Sequence, residues 1–477
     1  MSSNLLGSAA TPERLAIVSQ TDTITFGEMD RRVRALAGWI ASEGIGTSDV
    51  VGVSIADEPL HLMVSLALLR MGCPHISLAT HDPAPLRQDL IRRCGVVAVI
   101  GENPLDDGVR TITIPGVLPR GGAADAALDL PHPRDDAIAV YMATSGTTGA
   151  AKIIAYTYRQ MAQQGLTRHM PPAARSEYIP SSIQFLYAKK HRLRSAMNGY
   201  TGVFHIAAPA EIPGICRAYG VDVLRLSPPQ ARSLIDIAAM PGCRLPEELH
   251  VYVGGARISG AMRADFQQQQ VHSLHVEYGA TECGNIAVAG PELHARHPDS
   301  VGRPLDGVMV EIVDSADRPL PAGVDGLIRI RTPGMVAGYV GDPALTAKTF
   351  RDGWYYSSDR GHLNEDGLLV FEGRADDMMI LNSINIHPAE IERVAETFPG
   401  VIECAAFPLR SMVHGDIPML AVVTTDTCDL KQLAAHCTRQ LGVRAPRKIF
   451  RARDLPRNDA GKIVRHELSA LAAQRQL

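Results

Sequence analysis

Apolar residues recur with two different periods along the first third of the chain. Residues 28–43 repeat apolar side chains three and four positions apart, which predicts an amphipathic helix with a buried face of Met29, Val33, Leu36, Ala37 and Ile40. Further segments predict a second helix at residues 60–70 and short buried strands at residues 50–55, 75–78 and 96–100. Strands that alternate with helices indicate parallel sheets covered on both faces.

The pattern changes from about residue 302 onward. Residues 308–313 and 326–331 are short alternating segments separated by Pro-Gly and Asp-Gly pairs, which favours antiparallel strands and a small barrel. After residue 374 a mixed pattern returns, with a helix that starts at Pro388 and strands at residues 401–407 and 419–424. The last hundred or so residues have the size of a small separate domain.

Composition excludes several classes of protein. A chain of 477 residues exceeds what one hydrophobic core supports, so we expect at least two domains. The net charge of -4 gives no support to nucleic-acid binding, which requires a basic surface. The N-terminus has no basic and apolar signal pattern, and the apolar stretch at residues 60–71 is too short to span a bilayer. We therefore expect neither a signal peptide nor a membrane span.

The cysteines indicate neither a metal site nor a disulfide framework. All 8 are scattered, and the chain contains no C-x-x-C and no H-E-x-x-H pattern. We expect small buried hydrophobic side chains in a reducing, cytoplasmic setting.

Residues 143–152, Ala-Thr-Ser-Gly-Thr-Thr-Gly-Ala-Ala-Lys, are the strongest candidate for chemistry. They lie between two apolar, strand-like segments at residues 137–142 and 153–158. Glycines allow successive backbone N–H groups to point into one anion-binding concavity, and the hydroxyls and Lys152 add further donors. The spacing G-x-x-G-x-x-K differs from the P-loop pattern, which also requires a following helix. The segment predicts binding of a nucleotide's phosphates, with a ligand-free hairpin as the alternative.

Three further segments carry candidate groups. Residues 277–283 combine a tyrosine ring that can stack on a base with a carboxylate that can hold Mg²⁺. Residues 355–361 contain an aspartate that can accept both hydroxyls of a ribose. Residues 455–465 place Lys462 after a glycine. Each segment taken alone is equally consistent with turn chemistry or a solvated lysine.

Taken in order, these segments resemble the core motifs of the AMP-forming adenylating superfamily. That group contains acyl- and aryl-CoA synthetases, luciferases and the adenylation domains of non-ribosomal peptide synthetases. The resemblance extends from about residue 28 to about residue 465. It implies an α/β fold with a large N-terminal domain, residues 1–374, built from two parallel-sheet αβαβα subdomains and a small β-barrel. A hinge at residues 375–377 and a small mobile α+β C-terminal domain, residues 378–477, would follow.

The resemblance also implies the residues that bind ATP. The loop that handles the β- and γ-phosphates would consist of Thr144, Ser145, Gly146, Thr147, Thr148, Gly149 and Lys152. Adenine would lie between Tyr278, followed by Gly279, and the segment Gly254, Gly255 and Ala256, which also walls the acid pocket. Asp359 would bind the ribose hydroxyls, assisted by Arg374.

The implied catalytic residues are Thr281 near the α-phosphate, Glu282 on Mg²⁺ and Lys462, with Asp376 as the hinge. The implied reaction uses ATP and Mg²⁺ to convert a carboxylic acid to an acyl-AMP with release of pyrophosphate, and then transfers the acyl group to a thiol. The acceptor is coenzyme A or, as the alternative, the phosphopantetheine arm of a carrier protein.

The chain departs from the family pattern at two places. Ala151 and Ile153 flank Lys152 where the family has proline and glycine, and Ser383 replaces a glycine that lies beside the pantetheine tunnel. The basic run at residues 189–194 would contact an acidic carrier or a CoA phosphate, or it is a solvated loop, which is the more common explanation.

The acid itself is less clearly indicated. Residues 182–187 contain no aspartate to bind an α-ammonium group, which disfavours an amino acid. A flat, mostly apolar slot for an aryl or medium acyl acid is predicted from Phe185, Tyr187, Phe204, His205 and the region of Gly254, although these could equally be core residues. A serine hydrolase is disfavoured because no G-x-S-x-G elbow is present. A relative without turnover is disfavoured by Lys152, Glu282, Asp359 and Lys462. We expect a monomer or a homodimer.

Overall fold

The computed structural model describes residues 12–102, 108–115, 133–144, 151–166, 171, 174–255, 258, 260–268, 273–382, 384–411, 414–458 and 461–474. The strands in chain order are β1 (Leu15–Ser19), β2 (Thr23–Thr25), β3 (Val50–Ser54), β4 (His75–Ser77), β5 (Val96–Gly101), β6 (Arg110–Thr113), β7 (Ile138–Thr144), β8 (Lys152–Thr157), β9 (Ser176–Tyr178), β10 (Thr201–Phe204), β11 (Val223–Leu226), β12 (His250–Gly254), β13 (Ser273–Ala280), β14 (Gly284–Ala289), β15 (Ser300–Pro304), β16 (Met309–Val313), β17 (Gly326–Arg331), β18 (Phe350–Arg351), β19 (Trp354–Leu363), β20 (Leu369–Arg374), β21 (Met379–Leu381), β22 (Ile384–Ile386), β23 (Val401–Ser411), β24 (Gly415–Thr424) and β25 (Lys448–Arg451).

The helices are α1 (Phe26–Ser42), α2 (Glu58–Met71), α3 (Ala84–Cys94), α4 (Tyr158–Leu166), α5 (Leu186–Met197), α6 (Ile212–Ala218), α7 (Pro228–Ala238), α8 (Gly260–Gln268), α9 (Pro291–Arg296), α10 (Pro343–Thr349), α11 (Pro388–Glu396), α12 (Leu430–Leu441) and α13 (Arg465–Ala473). Single turns of 3₁₀-helix cover Pro209–Glu211, Ala375–Asp377 and Gly442–Arg444.

The first sheet has six strands in the order β6-β5-β3-β4-β7-β8, parallel except for the final pair. Capping side chains and glycines set the ends of the helices around this sheet, as α2 shows. The side chain of Asp57 accepts a hydrogen bond from the Leu60 N–H group at 2.8 Å, which caps α2, and Gly72 ends that helix in the left-handed conformation at φ 76°. The predicted alternation of helices and strands in this part of the chain is confirmed.

The second sheet has 14 strands and joins two kinds of structure. Strands β1, β10, β9, β11, β12 and β13 are parallel neighbours, and from β14 onward every pairing is antiparallel. The antiparallel segment is the predicted barrel region. Its strands continue the parallel sheet through β14 and β15 instead of standing apart from it.

The third sheet lies at the C-terminal end of the chain, with the order β22-β21-β24-β23 and β25 beside β24. Helices α11 and α12 pack on its core with Ile391 and Leu433, whereas Leu468 of α13 belongs to a second apolar cluster. Arg393 of α11 forms an ion pair with Glu372 of β20, which connects this sheet to the antiparallel segment. The mixed α/β pattern predicted after residue 374 is confirmed.

The environment of the cysteines agrees with the sequence. None of the eight forms a disulfide, and all are buried except the half-buried Cys243. Among the described helices none has both the length and the apolar composition that crossing a bilayer requires.

Candidate active site

The predicted phosphate loop connects β7 to β8. These strands pair antiparallel with Thr144 opposite Lys152, so the predicted flanking strands are confirmed. Part of the predicted ATP site lies outside the described residues, namely Ser145, Gly146, Thr147, Thr148, Gly149, Ala256 and the side chain of Thr144. Their roles stay predictions, and Lys152 is the described end of the loop.

Glu282 lies in the turn between β13 and β14, where its side chain is buried. The Tyr339 hydroxyl donates a hydrogen bond of 2.7 Å to Glu282 Oε1, and the Tyr156 hydroxyl donates to the carbonyl of Thr281. Lys152 Nζ lies 5.4 Å from the centroid of the Tyr339 ring. The structure thus brings together Lys152, Thr281 and Glu282, which are far apart in sequence, and fixes the Glu282 carboxylate with a tyrosine hydroxyl.

Asp359 lies at an irregularity in β19, where Ser358 adopts the left-handed conformation at φ 61°. The bulge places Asp359 beside β13, and the Tyr278 hydroxyl donates a hydrogen bond of 2.6 Å to Asp359 Oδ2. Arg374, opposite Asp359 on β20, has Nη1 at 3.8 Å from Asp359 Oδ1. Burial raises the pKa of Asp359, although the Tyr278 hydrogen bond and the charges of Arg374 and Lys462 act to lower it.

Lys462 reaches the same place from the C-terminal part of the chain. Its loop is closed by the antiparallel bridge between Arg457 and Ile463, and the Lys462 N–H donates a hydrogen bond of 2.9 Å to Asn458 Oδ1. Gly461, at φ 75°, packs close to Pro229 at the start of α7.

The charge of Lys462 acts both on the residues around Glu282 and on the residues around Asp359. Its ammonium group interacts electrostatically with four charged residues, Arg374, Asp359, Glu282 and Lys152. Desolvation by the surrounding protein lowers the pKa of Lys462, and Arg374 and Lys152 lower it further, while Asp359 and Glu282 act to raise it. Three cations and two carboxylates from distant parts of the chain therefore lie within electrostatic range of one another.

The remaining predicted residues lie around this site. A Cβ atom on Gly254 would lie 3.2 Å from Cβ of Glu277, so that position tolerates no larger residue without movement, and Gly255 has φ 91°. Gly279 lies on β13 immediately after Tyr278. Asp376 lies in the 3₁₀ turn Ala375–Asp377, and Arg374 Nη2 donates a hydrogen bond of 3.1 Å to its Oδ2 atom.

The basic run at residues 189–194 is neither a solvated loop nor a docking surface, and both interpretations are wrong. The run forms the middle of α5 and is almost entirely enclosed: Lys189, His191 and Arg192 are each at most 4% exposed. Arg192 lies 3.3 Å from a Glu58 carboxylate oxygen and donates to the carbonyls of Ile179 and Ser181. Carboxylates from distant elements compensate the two arginines, Glu58 for Arg192 and Glu177 for Arg194, whereas Lys189 donates a hydrogen bond of 2.7 Å to the Ser77 hydroxyl.

A buried ionic network continues from α5 to the ends of the parallel strands. Arg225 on β11 is fully buried and pairs with Glu177 and, at 2.8 Å, with Glu277. Glu277 also accepts hydrogen bonds from Asn285 at 3.0 Å and from the Tyr187 hydroxyl at 3.4 Å. Glu177 receives a second cation, Arg194, at 3.6 Å. Ligands of parallel α/β sheets bind at this carboxyl edge of the strands.

This network corrects the predicted apolar slot. Of its proposed lining residues, Tyr187 and Gly254 adjoin Glu277, whereas Phe204 packs under Arg192 with 4.0 Å between guanidinium and ring centroid. His205 packs against Tyr219 at 4.9 Å, and Phe185 lies 5.5 Å from His81. Phe204 and His205 therefore belong to the surrounding packing, and the wall beside Glu277 is charged.

The chain matches two family models. The AMP-binding enzyme model covers residues 7–340, and the model of the AMP-binding enzyme C-terminal domain covers residues 390–462. The chain belongs to the AMP-binding enzyme family. The resemblance found in the motifs is thereby confirmed, and the protein is an AMP-forming ligase.

Individual relatives of this AMP-binding enzyme are similar over nearly their full lengths. The chain is 26% identical to a 4-chlorobenzoate–CoA ligase of Arthrobacter sp, over 93% of this chain and 89% of the relative. It is 24% identical to a 2-succinylbenzoate–CoA ligase of Bacillus licheniformis, over 96% and 97% respectively. The solved o-succinylbenzoate CoA synthetase of Bacillus subtilis, in complex with its acyl-adenylate intermediate, superposes with a TM-score of 0.84 at 21% identity and covers 98% of this chain and 97% of that one.

The described residues fit a magnesium–polyphosphate ligand. Mg²⁺ is held in proteins by one or two carboxylates together with substrate phosphates. Glu282 offers a buried carboxylate of which Tyr339 occupies one oxygen, and the cations Lys152 and Lys462 beside it suit phosphate oxygens. Glu282 would therefore hold the ion, which supplies charge neutralisation at the phosphates.

Replacing Glu282 with Gln should weaken the use of Mg²⁺. The amide keeps the shape and the bond from Tyr339 but removes the charge that attracts the cation. We expect a higher half-saturating Mg²⁺ concentration and about 10²-fold slower acid-dependent pyrophosphate exchange. A magnesium titration of the exchange rate measures both, and Tyr339→Phe is the matched control, with a smaller effect. An unchanged magnesium requirement in Glu282→Gln would contradict the assignment.

Proposed function

We propose that this protein activates an aryl or medium acyl carboxylic acid as an acyl-AMP and transfers the acyl group to coenzyme A. The observation that carries the proposal is the convergence of Lys152, Glu282, Asp359, Arg374 and Lys462 on one space. Relatives named for the CoA ligation of 4-chlorobenzoate and 2-succinylbenzoate support the acid and the acceptor.

The residues suit the first half-reaction. A carboxylate oxygen of the acid bonds to the α-phosphorus, the bond from that phosphorus to the bridging oxygen breaks, and pyrophosphate leaves with the electron pair. Two anions must therefore approach each other, and the Lys462 ammonium would offset their repulsion. Asp359 would accept the ribose hydroxyls, and its contacts with Arg374 and Tyr278 support this role because they fix its carboxylate.

In the second half-reaction the thiol sulfur attacks the acyl carbon and AMP leaves. Coenzyme A is favoured over a carrier protein because the relatives that are similar over nearly the whole chain are named as CoA ligases. A panel of carboxylic acids tested for AMP release, with coenzyme A, with a holo-carrier protein and with neither, tests the proposal. We expect acid-dependent AMP formation and thioester formation with coenzyme A. Absence of AMP with every acid would overturn it.

We propose further that residues 1–374 and 378–477 are two domains that rotate about residues 375–377. The link is the single 3₁₀ turn Ala375–Asp377, held by the Arg374–Asp376 pair. Asp376→Pro should slow thioester formation more than adenylation, because proline fixes φ at the link. Single-turnover measurements of each half-reaction check this, with Asp376→Ala as the control for loss of the ion pair alone. Equal losses in both half-reactions would count against a hinge.

A further inference from the structure

Lys190 is the member of the basic run whose charge interacts with both Glu277 and Glu282. On α5 it is three residues after Tyr187 and four before Arg194, so the three side chains share one face of the helix. That face is directed at the carboxylates, since Tyr187 donates to Glu277 and Arg194 pairs with Glu177. The charges of Glu277 and Glu282 act to raise the pKa of the Lys190 ammonium, so both carboxylates lie within electrostatic range of it.

Lys190 differs from its neighbours in having no partner of its own. Within the described part of the chain Arg194 and Arg225 each form ion pairs with Glu177 or Glu277, while Lys190 forms neither an ion pair nor a hydrogen bond. Arg194, Arg225 and Lys190 thus share the carboxylates of Glu177 and Glu277, while the third carboxylate within electrostatic range of Lys190, Glu282, is the one assigned to Mg²⁺. With Glu282 assigned to the ion, this cluster carries one positive charge in excess. A buried excess charge is costly unless a ligand of opposite charge compensates it.

We propose that Lys190 binds a second carboxylate of the substrate, remote from the one that is activated, so that the preferred acids are dicarboxylic. This inference rests on the proposed function and narrows its substrate class. The second carboxylate would enter where Glu277, Gly254 and Lys190 meet, at the carboxyl edge of β12 and β13. It would balance the excess positive charge of the cluster formed by Lys190, Arg194, Arg225, Glu177 and Glu277. An acid that ends in a methyl group would leave the charge of Lys190 uncompensated.

The test uses pairs of acids that differ only at the far end: terephthalate with 4-methylbenzoate, and adipate with hexanoate. For wild-type enzyme, kcat/KM of AMP formation should favour the dicarboxylic member of at least one pair about 10- to 100-fold. Lys190→Met should abolish this preference mainly through KM for the diacid, with KM for ATP unchanged. Lys190→Arg keeps the charge and should restore most of the preference. Lys431→Met, at an exposed position of α12, is the matched control.

A pH series gives a readout that a purely structural role would not change. Burial and the charge of Arg194 on the same helix together lower the pKa of Lys190 to about 8, although Glu277 and Glu282 act to raise it. The adjoining Cys283 has a pKa raised well above its usual value by burial, so it stays neutral. The protonated fraction of Lys190 in free enzyme falls as the pH rises through about 8. KM for the diacid should therefore rise between pH 7 and pH 9 in the wild-type enzyme. In Lys190→Arg the same KM should stay constant over this range, because arginine remains charged.

The outcomes separate the two proposals. AMP formation with an unchanged preference in Lys190→Met, or a wild-type preference for the methyl-ended member of every pair, overturns the role of Lys190 and leaves acid activation standing. Failure of every acid to form AMP overturns acid activation itself. Titration calorimetry of each acid with enzyme saturated with α,β-methylene-ATP checks binding without turnover, and equal Kd values within both pairs overturn the role of Lys190.

Discussion

Lys462→Ala should lower the rate of acid-dependent pyrophosphate exchange about 10²- to 10³-fold, the loss found when one preorganised charge-stabilising group is removed from an active site. The ammonium group interacts with Asp359, Glu282, Arg374 and Lys152, so its position is central to the site. KM for ATP should change little, because Lys152, Asp359 and Arg374 remain to bind the nucleotide. The effect is therefore expected in kcat, where loss of an interaction made only in the transition state appears.

The measurement is exchange of labelled pyrophosphate into ATP at saturating acid, supplemented by equilibrium binding of ATP. Lys431→Ala, on an exposed part of α12, is the control for removing a lysine from the same part of the chain. The catalytic role requires the cationic form of Lys462. Desolvation lowers the pKa of Lys462, whereas the carboxylates of Asp359 and Glu282 act to raise it and so favour the cation. Exchange at the wild-type rate in Lys462→Ala would refute the catalytic assignment.

The local pattern of apolar and polar residues was sufficient to predict most helices and strands of this fold. The alternating run at residues 326–331 is β17 with the predicted bounds, and the apolar segments on both sides of the phosphate loop are the paired strands β7 and β8. The capping signals are also local, as the helix predicted to start at Pro388 shows. Each of these features depends on residues within a few positions of one another, which is the information that periodicity contains.

The charged interior could not be derived in the same way. The run at residues 189–194 has the composition of a solvated face, and the carboxylates that pair with its arginines, Glu58 and Glu177, lie on distant segments that only the fold brings together. A local signal was present but unused: Arg225 interrupts the otherwise apolar strand β11, and a charge inside a buried strand requires a partner. Tyr339, which fixes Glu282, follows no recognisable motif and could be found only from the structure.

Arg225→Met should destabilise the protein by about 3–5 kcal/mol, the cost of removing one partner from a buried ion pair. Arg225 is fully buried, pairs with Glu177 and Glu277, and has its guanidinium 4.6 Å from the centroid of the Tyr252 ring. Methionine fills much of the volume, so the loss arises from charge and not from a cavity. Among the described residues, Glu277 then keeps the hydrogen bonds from Asn285 and Tyr187.

Urea denaturation of wild type, Arg225→Met and Arg225→Met combined with Glu277→Gln measures this free energy of unfolding. The double variant should recover part of the loss, since it removes the carboxylate left unpaired. Arg318→Met, whose ion pair with Asp314 is exposed, should have no measurable effect.

Burial would raise the pKa of Glu177, but Arg225, Arg194 and Ser195 hold this pKa below the usual value. The Glu177 carboxylate therefore stabilises the fold at neutral pH and loses that contribution as the pH falls through its folded pKa. The difference between wild type and Arg225→Met should therefore shrink under acid conditions, and a difference independent of pH would show that the arginine acts by packing alone.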